Sequence, residues 1–183
     1  MNNFEFFTPT RMIFGRGTHL QVGKIVKEYG FKKVLVHFGG ASAKKTGLLD
    51  AVCGALEAEG IGYVQLGGVQ ANPTLSMAKK GIELCLAEKA DFVLAVGGGS
   101  VIDSAKCIAD GAGNPGVDVW KFFTKEAAPA GALPVGTILS LSGAYRPKFN
   151  SRMMLWIVSS SSHFAVRTTR SGPSPVCTLT SLP

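Results

Sequence analysis

The spacing of apolar and polar positions between residues 11 and 139 alternates between two periods. Short apolar runs at Arg11–Phe14, Lys33–Phe38, Ile61–Leu66, Asp91–Val96 and Val135–Leu139 have the length and β-branched content of strands. Between them lie stretches with helical spacing. In His19–Tyr29 the apolar positions are Leu20, Val22, Ile25 and Val26, with Gly30 as the stop. Leu48–Glu59 is amphipathic and closed by Gly60. Asn72-Pro73-Thr74 opens a helix to about Lys89, because proline suits a first helical turn and Asn or Thr can cap it. Ser100–Ala112 is the last of these helices. Short strands alternating with helices predict an α/β fold: an open, mostly parallel, doubly wound sheet flanked by helices. Ligands of such sheets collect at the carboxyl ends of the strands, so the informative loops follow Phe38, Leu66, Val96 and Leu139.

Beyond Gly143 this pattern stops. Residues 144–183 hold eight serines, five basic residues and no acid. Only Met153–Val158 has strand character there, and no helix with an apolar face can be drawn, so an irregular C-terminal tail is expected. Charge follows the same division. All twelve acids and fourteen of the nineteen Lys and Arg precede residue 144, which leaves that part at +2 of the total +7. The excess therefore belongs to the tail and not to a basic face built on folded elements, which argues against a nucleic-acid partner. A membrane partner is not expected either. The most apolar run, Phe92–Val96, is far shorter than the ~20 residues of a span, and the N-terminus lacks the pattern of a secretion signal. Cys53, Cys85, Cys107 and Cys177 are scattered without a CxxC pair, as for free thiols in the cytoplasm.

The chemistry concentrates in one segment, Asp91-Phe-Val-Leu-Ala-Val-Gly97-Gly98-Gly99-Ser100-Val-Ile-Asp103-Ser-Ala-Lys106. A buried strand runs into three glycines and then a helix. Glycines admit a phosphate close to the backbone, and a helix start adds unpaired N–H groups and the positive end of its dipole. Ser100 as N-cap with Asp103 three residues on would fix where the helix begins. A Gly-rich turn alone, neither G-x-G-x-x-G nor a P-loop, would serve a ligand-free turn equally well.

The segment after the strand resembles the iron-containing (group III) alcohol dehydrogenases, near the bacterial butanol dehydrogenases and aldehyde reductases. Three other stretches resemble the same family in order and spacing: Phe14-Gly15-x-Gly17, Phe38–Asp50 and Gly68-Val69-Gln70-Ala71-Asn72-Pro73-Thr74. The resemblance covers residues 1 to about 142. It implies a Rossmann-like dinucleotide-binding domain at residues 1–143, with NAD or NADP as cofactor and an alcohol or aldehyde as substrate. It also implies iron or zinc in full-length relatives, and a homodimer there. By the same resemblance, Gly97, Gly98, Gly99 and Ser100 hold the cofactor pyrophosphate, with Asp103 close by. Asn72 lines the cofactor cleft; on the residues alone it is equally a plain helix cap. Gly39, Gly40 and Ser42 surround the adenosine ribose. The absence of an acid there, with Lys44 and Lys45 nearby, favours NADP, although a solvated Lys pair is the alternative. Ser140 stands where the family reaches the nicotinamide side.

The resemblance then ends. Where the family continues Thr-Gly-Ser-Glu, this chain reads Ser142-Gly143-Ala144-Tyr145. The family's all-helical metal-binding domain supplies an Asp and three His. Here only His19, His37 and His163 occur, none in helical ligand spacing, and His37 reads as a satisfied core or loop histidine. The expectation is a chain with no metal site and no catalytic residue of its own. Residues 144–183 are then a non-family tail, disordered or read from a shifted frame. Two functional readings follow: an NAD(P)-dependent, metal-dependent alcohol dehydrogenase or aldehyde reductase by resemblance, truncated and inactive as this chain, or a stand-alone dinucleotide-binding module without catalysis.

Overall fold

A computed structural model describes residues 10–40 and 46–139, together with strand segments 153–158, 164–168 and 177–181. The elements run β1 (Arg11–Gly15), a 3-10 turn (Thr18–Gln21), α1 (Val22–Glu28), β2 (Lys33–Phe38), α2 (Leu48–Ala58) and β3 (Gly62–Leu66). Then come α3 (Leu75–Glu88), β4 (Phe92–Gly97), α4 (Gly99–Gly113), α5 (Trp120–Thr124) and β5 (Val135–Leu139). Three strands follow: β6 (Met153–Val158), β7 (Phe164–Thr168) and β8 (Cys177–Ser181).

Six strands form one sheet in the order β1-β6-β5-β4-β2-β3. β5, β4, β2 and β3 are mutually parallel, whereas β6 pairs antiparallel with both β5 and β1. The five strands expected from the apolar runs are all present. Met153–Val158, the one strand-capable stretch after Gly143, completes the sheet as β6. β7 and β8 pair with each other in a separate ribbon that the sequence did not suggest.

Because side chains alternate along a strand, β2 and β4 feed two cores. Val34, Val36 and Phe38 with Phe92, Leu94 and Val96 face α1 and α2, where Val22, Val26, Val52 and Leu56 close the layer. Leu35, Val93 and Ala95 face α3 and α4, packed by Ala78, Ala105, Ile108 and Ala109. Burial on both faces makes β4 a continuous apolar run, as central parallel strands are. On the second face α3 and α4 approach through reciprocal notches. A Cβ on Gly81 would lie 2.3 Å from Ile108 Cδ1, and one on Gly111 would lie 2.2 Å from Ile82 Cδ1.

Helix starts depart from expectation in two places, and in a third the structure chooses between the two caps that the sequence offered. His19–Tyr29 is not one helix. Gly17, left-handed at φ 72°, accepts the Leu20 N–H and winds a tight 3-10 turn before α1 begins. α3 is capped by Thr74, whose hydroxyl accepts the Met77 N–H, rather than by Asn72. α4 is capped by Gly98 and not Ser100, because the Gly98 carbonyl already accepts the Val101 and Ile102 N–H groups, which places Ser100 inside the first turn.

Candidate functional site

The connection after β2 leads to α2 on one face of the sheet, and the connection after β4 leads to α4 on the other. The chain therefore parts at the carboxyl ends of two neighbouring strands, where an open α/β sheet forms its ligand crevice. Phe38 lies opposite Val96 in the register, so Gly39 leaves the sheet beside Gly97, the last residue of β4. Val101, in the first turn of α4, fills the space between them. Its Cγ2 would be 2.6 Å from a Cβ on Gly97 and 3.6 Å from one on Gly39. Any larger residue at 97 would push the helix start away from the sheet.

Above this floor the site is open. A Cβ on Gly99 or on Gly40 would meet nothing within 4 Å, and both residues are exposed. Gly98 has extended backbone, no side chain caps α4, and no acid stands in its first turn. The N–H groups of Gly99 and Ser100 thus belong to the helix donors that have no intrahelical acceptor. Four turns of aligned peptide dipoles end here. These features fit a pyrophosphate: donors at the helix start, room for the group, and no carboxylate in the first turn to repel it.

The loop after β3 forms the next wall. It is tied to the β2 loop by Gly68 N–H to Gly39 O at 3.1 Å and Val69 N–H to Phe38 O at 3.4 Å. Gly68, Val69, Gln70, Pro73, Thr74 and Met77 line a shallow cleft of about 190 Å³. Asn72 stands on this loop in left-handed backbone, φ 64°, and is exposed.

The expected site residues therefore divide. Gly39, Gly97, Gly98, Gly99 and Ser100 come together at the crevice, with Gly40 at its rim. Asp103 is exposed one turn further along α4, and Asn72 lies on the separate β3 loop. Ser42 and Ser140, with Lys44 and Lys45, lie outside the described residues. The sequence reading missed Val101, an ordinary apolar residue whose role appears only once two glycines flank it in space.

It also missed the partner of His37. This side chain is fully buried on the α3/α4 face. Its Nδ1 is 3.0 Å from the Leu66 carbonyl and its Nε2 is 2.9 Å from Ser104 Oγ. A carbonyl only accepts, so Nδ1 carries the proton and donates to Leu66 O, while Nε2 accepts from the Ser104 hydroxyl. Burial pushes the imidazole pKa down to about 4, partly opposed by the Leu66 carbonyl, and the ring is neutral in the fold. Among the described residues no three His, Cys, Asp or Glu side chains gather where they could hold a metal ion. No helix among them is long and apolar enough to cross a membrane.

The profile of the iron-containing alcohol dehydrogenases matches residues 9–147. The probable NADH-dependent butanol dehydrogenase 2 of Bacillus subtilis is 48% identical over 142 residues, covering 78% of this chain and 36% of that protein. The NADPH-dependent aldehyde reductase YqhD of Escherichia coli is 38% identical over 143 residues, covering 77% and 36%. The solved NADH-dependent butanol dehydrogenase A of Thermotoga maritima superposes with a TM-score of 0.74 at 43% identity, over 78% of this chain and 35% of that one. The chain thus spans little more than a third of the relatives it matches. With the family profile running through nearly all of its parallel sheet, the chain belongs to the iron-containing alcohol dehydrogenase family.

Proposed function

We propose that residues 1–143 are the dinucleotide-binding domain of an NAD(P)-dependent, metal-dependent alcohol dehydrogenase or aldehyde reductase, with the tail beyond residue 147 outside the family profile. The observation that carries this reading is the uncapped N-terminus of α4 at the β2/β4 crevice, with open space at Gly99 and Gly40. The backbone N–H groups of Gly99 and Ser100 bind the pyrophosphate, and Gly39 and Gly40 let the adenosine ribose approach the β2 loop. A bound nicotinamide supplies hydride chemistry. Among the described residues no His, Cys, Asp or Glu cluster fits the family's iron or zinc. NADPH is preferred over NADH. The support is the β2 loop itself, which lacks an acid and carries Ser42, Lys44 and Lys45. The protein acts in the cytoplasm.

Titration of the 183-residue chain with NADPH and NADH tests this reading. Binding should saturate, with NADPH tighter. Gly99→Asp is the decisive variant. A carboxylate in the first turn favours the helix dipole, so the fold should be unharmed. The same charge repels a pyrophosphate and should weaken NADPH about 30- to 100-fold, about 2–3 kcal/mol. An unchanged affinity would remove the phosphate from the α4 terminus. No turnover of a short alcohol or aldehyde is expected from this 183-residue chain with ferrous iron or zinc added. Metal-stimulated turnover would overturn that part.

A further inference from the structure

His37, Leu66 and Ser104 lie beneath the three segments that wall the candidate crevice. His37 is two residues before Gly39, Leu66 is the last residue of β3, and Ser104 is in the second turn of α4. Parallel pairing sets His37 opposite Leu66 on one side and Ala95 on the other. The imidazole therefore spans from the end of one strand to the helix above the sheet, with both nitrogens bonded at 3.0 and 2.9 Å. The rest of this layer is mostly apolar, with Leu35, Val93, Ala95 and Ala105, and the buried Thr137 lies one strand further across, opposite Ala95. An apolar side chain would bury there at lower cost, since a buried polar pair is costly unless every partner is placed. What the polar pair adds is direction. A hydrophobic contact tolerates sliding of a helix along a sheet, whereas two directed hydrogen bonds do not.

We infer that His37 is a positioning residue, which through Leu66 and Ser104 fixes the β2 loop, the β3 loop and the first turns of α4 in the relative placement that dinucleotide binding uses. This rests on the dinucleotide reading above. The loops it would align are in mutual contact. Gly68 and Val69 donate to Gly39 and Phe38, the Phe38 ring sits 2.3 Å from where a Gly67 Cβ would be, and Val101 bridges Gly39 and Gly97. A small rotation of α4 would move the Gly99 and Ser100 donors away from Gly39 while leaving the core filled.

Ser104→Ala removes one hydroxyl and no volume that packing needs, so it is the primary variant. His37→Gln keeps an acceptor near the Nε2 position, and His37→Leu removes both bonds. Two readouts are taken on the full chain. Amide hydrogen exchange without ligand should accelerate at least 10-fold at Gly68, Val69 and Val101, whose N–H groups are hydrogen-bonded in the loops and the first turn of α4, in Ser104→Ala, and little at Val22 on the far face. NADPH affinity should fall about 3- to 10-fold in Ser104→Ala and further in His37→Leu, and His37→Gln should stay within about 3-fold of wild type. Uniform acceleration that includes Val22, or loop exchange unchanged, would overturn the inference. So would unchanged NADPH affinity in a Ser104→Ala chain whose loops have loosened. If wild type binds no NADPH, the dinucleotide reading fails by itself, and exchange alone then decides whether His37 positions the loops.

Discussion

The two faces of the sheet are built differently. The face toward α1 and α2 is filled by large aliphatic and aromatic side chains: Val34, Val36, Phe38, Phe92, Leu94, Val96 and Leu56. The face toward α3 and α4 is filled mainly by small ones, with Ala78, Ala95, Ala105 and Ala109, the Gly81 and Gly111 notches, and one polar pair. Small residues bring α4 close to the sheet, and closeness is what lets its N-terminus share a crevice with Gly39. The first face holds the domain together by apolar area. The second places a helix end. Mutations on the two faces should accordingly separate stability from binding.

The largest expected effect lies on the first face. The Phe92 ring is fully buried, stacks on Phe31 at a centroid distance of 4.9 Å, and fills the notch over Gly136. Phe92→Ala should cost about 4 kcal/mol, the middle of the range for buried aromatic truncation. Urea denaturation measures it. NADPH affinity of the remaining folded fraction should be unchanged, because no wall of the crevice uses this side chain. A matching loss of affinity would show that the two faces are not separable.

On the second face the expected signature is a pH dependence. His37 is neutral in the fold with its pKa held at about 4, against an ordinary value of 6.5. Between those values the unfolded chain binds a proton that the folded chain does not. The stability linked to this group is therefore fully present above pH 6.5, declines as pH falls, and is gone near pH 4. The difference is about 3 kcal/mol. Comparing urea denaturation of wild type and His37→Gln across that window isolates the histidine from the carboxylates. The wild-type curve should be the steeper. Parallel curves would mean that the imidazole takes up its proton in place, and that the second face is more solvated than its burial implies.

The test on the second face falls where the sequence was least legible. β2 and β4 were readable because burial on both sides writes an unbroken apolar run. The Gly97–Ser100 turn was readable because three glycines between a buried apolar run and a helical repeat mark a sharp strand-to-helix connection. Position by position, however, capping rules favoured Ser100, whereas the Gly98 carbonyl starts the helix two residues earlier. The link between His37 and Ser104 spans 67 residues and has no local periodicity to betray it. β6 was marked as a strand-capable stretch, but its place between β1 and β5 is set by long-range pairing that no local pattern shows, and β7 and β8 gave no signal in a Ser- and Arg-rich segment. α5, at five residues, is too short to show a helical repeat.

The smallest effect concerns the loop that borders both the crevice and α3, where the sequence left Asn72 as either cap or cleft residue. The cap is Thr74, in extended backbone at ψ 148°, with its hydroxyl 3.4 Å from the Met77 N–H. Thr74→Ala should cost about 1 kcal/mol of stability, or less because the bond is long and exposed. Asn72 is at φ 64°, a conformation asparagine tolerates and glycine adopts without strain. Asn72→Gly should therefore leave stability unchanged within about 0.5 kcal/mol, the scale of ordinary surface substitutions. If the side chain reaches a bound dinucleotide, the same change should weaken NADPH about 3- to 10-fold, the loss of one hydrogen bond. Paired denaturation and titration of the two variants give a crossed result: stability lost at 74, affinity lost at 72. Equal affinities for wild type and Asn72→Gly would take Asn72 out of the cleft and leave its residue type to the turn alone.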